Sequence, residues 1–152
     1  MSTAPPPSAE RLRLDADQLN DFLGRAFPLA DPKARGRVAE VQPGRVLMVQ
    51  SGDERMLRPG GVISGPTMMG LTDSAVYALV LAHIGEVPMA VTASLTIHFL
   101  RPAIATGVLN AEARLLRLGR RIVTSEVRLW TEGPDRPCAH ATVAYAIPDG
   151  VT

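Results

Sequence analysis

A single cysteine, Cys138, and a single lysine, Lys33, stand among the 152 residues of the chain. One cysteine excludes an intrachain disulfide and any zinc site built on several thiolates. Cys138 falls in an alternating apolar segment and is expected to be a small buried hydrophobe. The net charge of +1 leaves no basic excess of the kind that meets nucleic acid. Nearly all the basic residues are arginines, whose planar fork grips phosphates and carboxylates. The N-terminal stretch MSTAPPPSAERLRLD lacks the apolar core of a secretory leader. Residues 62–85 are broken by Gly65, Pro66, Gly70 and Asp73, so the longest uninterrupted apolar run falls well short of the ~18 residues of a membrane span. The expected location is cytoplasmic, with neither membrane nor nucleic acid as a partner.

Other familiar chemistries are missing as well. His83 and His98 are separated by a turn and half a strand, and no His, Cys or Asp cluster has metal-ligand spacing, so no metal and no cofactor are expected. GPDRP and LGRR do not have a phosphate-loop pattern. The G-x-S-x-G spacing of a serine hydrolase is absent around Ser64, Ser74 and Ser94. His98, on the polar side of a strand, reads as a solvated residue, and Arg101, Arg120 and Arg121 read first as surface. The sharpest scarcity lies between Pro59 and Gly85, where Asp73 is the one residue with a formal charge.

What is present fits one globular domain over residues 15–150, preceded by a loose proline-rich arm over 1–14. Leu19, Phe22, Leu23 and Phe27 have helical spacing, with Asp15 or Asp17 as the cap. The stretch RVAEVQPGRVLMVQ reads as a hairpin around Pro43-Gly44, between two loops, PLADPKARG and SGDERMLRPGG. Ser64 or Gly65 caps a second helix, Pro66 lies in its first turn, and Gly85 ends it. After Ala75 that helix is apolar almost all round, which marks a helix covered on most sides. Four strands follow, over 90–100, 107–117, 121–132 and 138–147, and their short connections suggest an antiparallel meander. Strict alternation in the first of them puts Val91, Ala93, Leu95, Ile97 and Phe99 on one face, and Thr92, Ser94, Thr96 and His98 on the other. The economical packing is an α+β fold: a strongly curved antiparallel sheet wrapped around one long central helix.

Two places invite chemistry. A carboxylate in an apolar setting needs partners or a shifted pKa, and such acids serve as general bases or nucleophiles as well as structural groups. The helix start at Ser64-Gly65-Pro66 offers unpaired N–H groups and a partial positive charge, either as an ordinary cap or as a cradle for a carbonyl oxygen at Gly65. Asp73 comes eight residues after Gly65, roughly 12 Å along the axis at ~1.5 Å per residue. An acid at that distance does not serve its own helix start. Joint action therefore requires a two-fold dimer with composite sites.

The segment SGPTMMGLTDSA resembles the His-Gly-Gly…Asp-[Ser/Thr/Asn]-Ala helix of hotdog-fold thioesterases of the phenylacetate-degradation type. AVTASLTIHFLRPA resembles the strand of that family ending in Phe-Leu-Arg-Pro, and the likeness extends over roughly 36–147. The resemblance implies the hotdog fold and an acyl-CoA thioesterase acting across a homodimer that itself pairs in some cases into a tetramer. It implies Asp73 as general base or nucleophile, Gly65 as the donor that polarises the thioester carbonyl, and Thr92 as a residue that helps hold the attacking water. Ser64 stands where the family has His, and Pro66 replaces the second Gly. Leu57 and Arg58 occupy the region where an upstream Asn or Gln is common. Substrate contacts are expected from Arg58, Pro66, Thr67, Met68, Met69 and Arg101, with the acyl group near the two methionines. The rival reading is a non-catalytic acyl-CoA or acyl-ligand binding protein on the same fold, which the missing His favours. A hydratase ranks last, because the helix has no His near Asp73.

Overall fold

A computed structural model describes residues 5–105 and 107–150. Helix α1 spans Ala16–Ala26, α2 spans Pro32–Arg35 and α3 spans Gly65–Ile84. The strands are β1 (Arg37–Gln42), β2 (Arg45–Ser51), β3 (Leu57–Arg58), β4 (Val62–Ile63), β5 (Val91–Phe99), β6 (Val108–Leu118), β7 (Ile122–Trp130) and β8 (Ala139–Ala146). Asp15 caps α1 through a bond from the Gln18 N–H, and Gln18 answers on the Asp15 N–H. Leu12 and Leu14, in the stretch read as a loose arm, pack against the core, and Arg13 and Leu14 donate from their backbones to Ala82 O. The α2 helix lies in the first of the two expected loops; a 3₁₀ turn and the β3–β4 pair lie in the second.

Six antiparallel strands form one sheet in the order β1-β2-β6-β7-β8-β5, and α3 packs against all six. This is the hotdog arrangement: a curved sheet around a long helix. The expected four-strand meander holds for β6, β7 and β8 only. The chain after β5 crosses to the far side, so β6 pairs with β2 while β5 takes the edge beside β8. The cause is the hairpin: its second strand β2 supplies a partner for β6, and β5 is left with one neighbour.

Helix α3 is buried on every side from Ala75 to Ile84. By length and composition it could cross a membrane, yet 72% of its most apolar window is covered by the rest of the fold. It is a core helix. Leu79, Leu81, Val76 and Val80 are among the largest fully buried side chains, each stabilising the fold by about 1.5–3 kcal/mol relative to exposure. Opposite them lie Val46 and Met48 of β2, Val127 and Leu129 of β7, and Val143 of β8. Cys138 is buried as expected, and burial raises its thiol pKa, so it stays a thiol. His83 is the one histidine inside. Its Nδ1 lies 2.8 Å from Leu79 O, and its Nε2 accepts from the Gly44 N–H at 3.0 Å. Those two partners fix a neutral ring with the proton on Nδ1. Gly44 adopts a φ of 77° at the β1–β2 turn, a backbone conformation that favours glycine.

One sequence expectation changes with consequences for the site. The register of β5 on β8 shifts between Thr92 and Ser94, which makes Ala93 a bulge. Thr92 pairs with Tyr145, and Leu95, Ile97 and Phe99 pair with Val143, Ala141 and Ala139. The extra residue turns Thr92 to the same face as Leu95 and Ile97, against the strict alternation read from the sequence.

Candidate functional site

Asp73 sits midway along α3, half-buried, on the face turned toward the start of β5 and the end of β8. Thr92, just before the bulge, donates its hydroxyl to Asp73 Oδ1 at 2.5 Å. The Tyr145 hydroxyl lies 2.8 Å from the same oxygen and 3.2 Å from the Asp73 backbone O. Of the two flanking hydroxyls on the helix, that of Thr72 donates to Met68 O instead. Both side-chain donors therefore converge on Oδ1, and no described side chain bonds Oδ2. Burial pushes the Tyr145 phenol pKa up, opposed by Thr92 and reinforced by the Asp73 charge, so Tyr145 remains a protonated donor. Its ring stacks on Tyr77 with centroids 6.1 Å apart, and the Tyr77 hydroxyl donates to Pro88 O.

Asp73 opens on a cavity of about 730 Å³. Its wall is mainly apolar and aromatic, with Leu23 and Phe27 from the α1 end, Met48, Tyr77, Val91 and Tyr145. Arg35 of α2 also lines it, as does Asp31, which is ion-paired to Arg55 at 2.6 Å. Pockets of this size and lining hold small organic groups.

The start of α3 builds a second, separate cavity of about 580 Å³, which shares no lining residue with the first. Arg58, Gly65, Pro66, Met68, Phe99 and Arg101 are in its wall. Ser64 is the N-cap: its Oγ accepts from the Thr67 N–H at 3.3 Å and lies 2.8 Å from Thr67 Oγ1. The cap is thus occupied by Thr67, while Gly65 and Pro66 face the cavity. A Cβ at position 65 would stand 3.2 Å from Phe99 Cζ, so glycine allows β5 to approach the helix closely.

The candidate residues therefore divide between two places. Asp73 and Thr92 are brought together at the first cavity. Arg58, Gly65, Pro66, Met68 and Arg101 gather at the second, with Ser64 and Thr67 bonded to each other beside it. Met68 is buried there and touches Cys138, with sulfurs 3.8 Å apart, whereas Met69 is exposed. His98 is exposed. Among the described residues no group of three His, Cys, Asp or Glu is placed to hold a metal. Tyr145 and Arg35 were missed in the sequence. Tyr145 had a readable signal: a polar tip at an inward position of the alternating Ala139, Ala141, Val143, Tyr145 series. Arg35, in a segment read as loop, had none.

Comparisons with known proteins agree with this architecture. A family model described as the thioesterase superfamily matches residues 60–138, more than half of the chain. A search of curated proteins gave no match. Among solved structures, a candidate thioesterase from Silicibacter sp. TM1040 is 38% identical, over 93% of this chain and 96% of that one, with a TM-score of 0.83. A phenylacetic acid degradation-related protein from Ralstonia eutropha JMP134, also described as a candidate thioesterase, is 26% identical over 83% of this chain and 98% of that one, with a TM-score of 0.70. The phenylacetic acid degradation protein PaaI of Thermus thermophilus, solved as a mutant, is 24% identical over 74% and 93% of the two chains, with a TM-score of 0.64. With the central helix, the wrapped sheet and more than half of its length matched, this chain belongs to the thioesterase superfamily and has the hotdog fold.

Proposed function

We propose that the chain hydrolyses acyl-CoA thioesters at composite sites, each built from Asp73 of one subunit and the α3 start of its partner. The observation that carries this is the Asp73 carboxylate itself. It is tethered through Oδ1 by Thr92 and Tyr145, leaving Oδ2 without a described side-chain partner toward a cavity of acyl size. A carboxylate so held has one oxygen fixed and one available for proton transfer.

The edge strand supports the assembly. β5 has one neighbour in the sheet, and Val91, Phe99 and Leu100 on or beside it are exposed, the kind of edge that pairs with another chain. It runs from Thr92, which touches Asp73, to Phe99, which covers Gly65. Antiparallel pairing of two β5 strands about a two-fold axis sets the Thr92 end of one against the Phe99 end of the other. Asp73 then approaches the partner's Gly65, as the ~12 Å separation along a single helix requires.

In the proposed reaction, Asp73 Oδ2 takes a proton from water as the water oxygen attacks the thioester carbon. The carbonyl oxygen, gaining charge, is stabilised by the partner's Gly65 N–H at the positive end of α3. The carbon–sulfur bond then breaks. The proton on Asp73 passes to the departing sulfur, giving the free acid and CoA thiol. Arg58 and Arg101 rim the α3-start cavity and suit the CoA phosphates. A pairing of dimers into a tetramer and a cytoplasmic location belong to the same reading.

A thiol-release screen over acyl-CoAs, with Asp73→Asn alongside, tests the assignment. Turnover should fall by about 10²–10⁴-fold in that variant. Unchanged turnover refutes the assignment. Co-expressed D73N and Gly65→Pro subunits should recover part of the activity, since a mixed dimer retains one intact site; failure to recover removes the composite site.

One observation favours the rival binding protein: Ser64, at the family's histidine position, is engaged in capping α3 with Thr67. Tight acyl-CoA binding without thiol release would decide for it.

A further inference from the structure

The Asp73 cavity is open to solvent between two apolar lips that the proposed hydrolysis does not use. One lip is the end of α1 with the turn after it, where Phe27 and Ala30 line the cavity. The other is the loop between α3 and β5, where Pro88 and Ala90 line it. Leu29 and Met89 lie within these same two turns, between residues of the lining, yet are 99% and 69% exposed. Phe27 is 46% exposed. Both lips rest on Tyr77. The Phe27 ring meets it edge-on with centroids 6.1 Å apart, and Pro88 O accepts from its hydroxyl at 3.1 Å. At one corner Arg25, two residues before Phe27, pairs with Glu86, two residues before Pro88, at 2.9 Å. The lips therefore face each other with one tyrosine between them.

A single exposed leucine needs no explanation. Large apolar side chains grouped at the mouth of an apolar cavity form a surface continuous with it, and such surfaces mark ligand grooves. The charged groups of the first lip are engaged elsewhere. Asp31 is paired with Arg55, and Arg35 donates from Nη1 to Leu23 O and Phe27 O, which fixes the end of α1. A row of rings leads from Asp73 to the lips. Tyr145 is bonded to Asp73, stacks on Tyr77 at 6.1 Å, and Tyr77 meets Phe27 at the same separation. A short acyl group with its carbonyl carbon at Asp73 ends beside the first of these rings. Only a long one passes all three and reaches Leu29 and Met89.

We propose that the two lips form a collar for the distal part of the acyl group, and that the substrates are CoA thioesters of long-chain fatty acids. The inference rests on the thioesterase reading above and names the substrate class for the same site. Phe27, Leu29 and Met89 take no part in the bond-breaking step. They remove methylenes from water, and the gain grows with the apolar area covered.

The experiment measures thiol release from butanoyl-, octanoyl-, dodecanoyl- and hexadecanoyl-CoA, each below the concentration at which it forms micelles. The readout is kcat/KM relative to butanoyl-CoA within the same protein. In the wild type this ratio should rise by about two- to threefold per methylene until the collar is filled. Leu29→Asp and Met89→Asp change exposed side chains, so the fold is not at stake. Each should lower the dodecanoyl ratio by about tenfold, mainly through KM. Leu116→Asp is the control: an exposed leucine of β6 outside the cavity lining, whose replacement should leave the ratio as it is. A wild-type optimum at butanoyl-CoA overturns the proposal. So does a ratio that persists in both L29D and M89D, or one that falls equally in L116D. A fall in M89D alone, with dissociation of the dimer in sedimentation, overturns the collar and assigns that lip to the partner subunit. Release from short or aromatic thioesters only removes this inference, whereas absence of release from every thioester removes the thioesterase reading and this inference with it.

Discussion

The two ends of the charge-poor half of α3 solve opposite problems. At Asp73 the helix introduces a carboxylate into an apolar wall, and the fold answers with donors from two strands, Thr92 and Tyr145, both on one oxygen. At Gly65 the helix leaves backbone N–H groups unsatisfied, and the fold answers sparingly: Ser64 covers the Thr67 N–H, while Phe99 lies close because no side chain intervenes. One end is a negative group held by side chains. The other is a positive backbone end flanked by two arginines. The difference teaches that a long core helix can carry two polar places of opposite charge, set roughly 12 Å apart along its axis.

The comparison breaks most severely at Asp73. Beyond the loss expected for D73N, the variant should still bind acyl-CoA in an equilibrium titration, since the volume is kept; loss of binding and turnover together would assign Asp73 to holding the ligand. Next comes the tether. Tyr145→Phe removes one of two donors to Oδ1 and should lower kcat by about 10–100-fold with KM within about threefold, as a hydrogen bond to a charged group contributes about 1.5–3 kcal/mol. An altered KM with kcat intact would make Tyr145 a wall residue only. At the other end, Arg101→Gln should raise KM for CoA thioesters several-fold and weaken their salt dependence, with kcat little changed. An equal effect on kcat would place Arg101 nearer the reacting carbonyl.

The smallest effect lies on the same helix but outside both cavities. Burial pushes the His83 pKa below its ordinary value, opposed by the backbone of Leu79 and of Ala9. The unfolded chain takes up a proton near pH 6.5, before the folded chain does. Stability from the neutral ring is therefore complete above about pH 6.5 and declines as the pH falls from there toward the depressed folded value. Urea titrations at pH 7.5 and 5.5 should show this decline, and His83→Gln should flatten it while costing about 1 kcal/mol at neutral pH. An identical slope in the variant would move the acid sensitivity to other groups.

Much of the fold was legible because hydrophobic period is a local property. The limits of α1 and α3, the Pro43-Gly44 hairpin and the strand segments β5 to β8 follow from spacing, caps and glycine. The sheet order was not legible. Whether β6 turns to β5 or to β2 depends on which edge is open once the hairpin has packed, and no single segment records that. The site divides in the same way. Asp73 is conspicuous as a lone charge in apolar company, and Gly65 as the residue after a capping serine. Thr92 was reached through family likeness, while simple alternation placed it on the wrong face. A bulge at Ala93 depends on how β5 registers on β8, and alanine gives no warning of it. Arg35 came from a short helix in what reads as a loop, where side-chain direction is set by contacts with α1.

The sequence by itself determined the elements, the apolar helix that must be wrapped, and the spacing that forbids Asp73 from serving its own helix start. Those follow from bond geometry and the period of side chains along the backbone. Only the tertiary structure decided that Asp73 is tethered through Oδ1, that Thr92 turns to the helix side of the sheet, and that β5 is an open edge. Each depends on residues far apart in sequence meeting with a definite register, and register is decided by packing between elements.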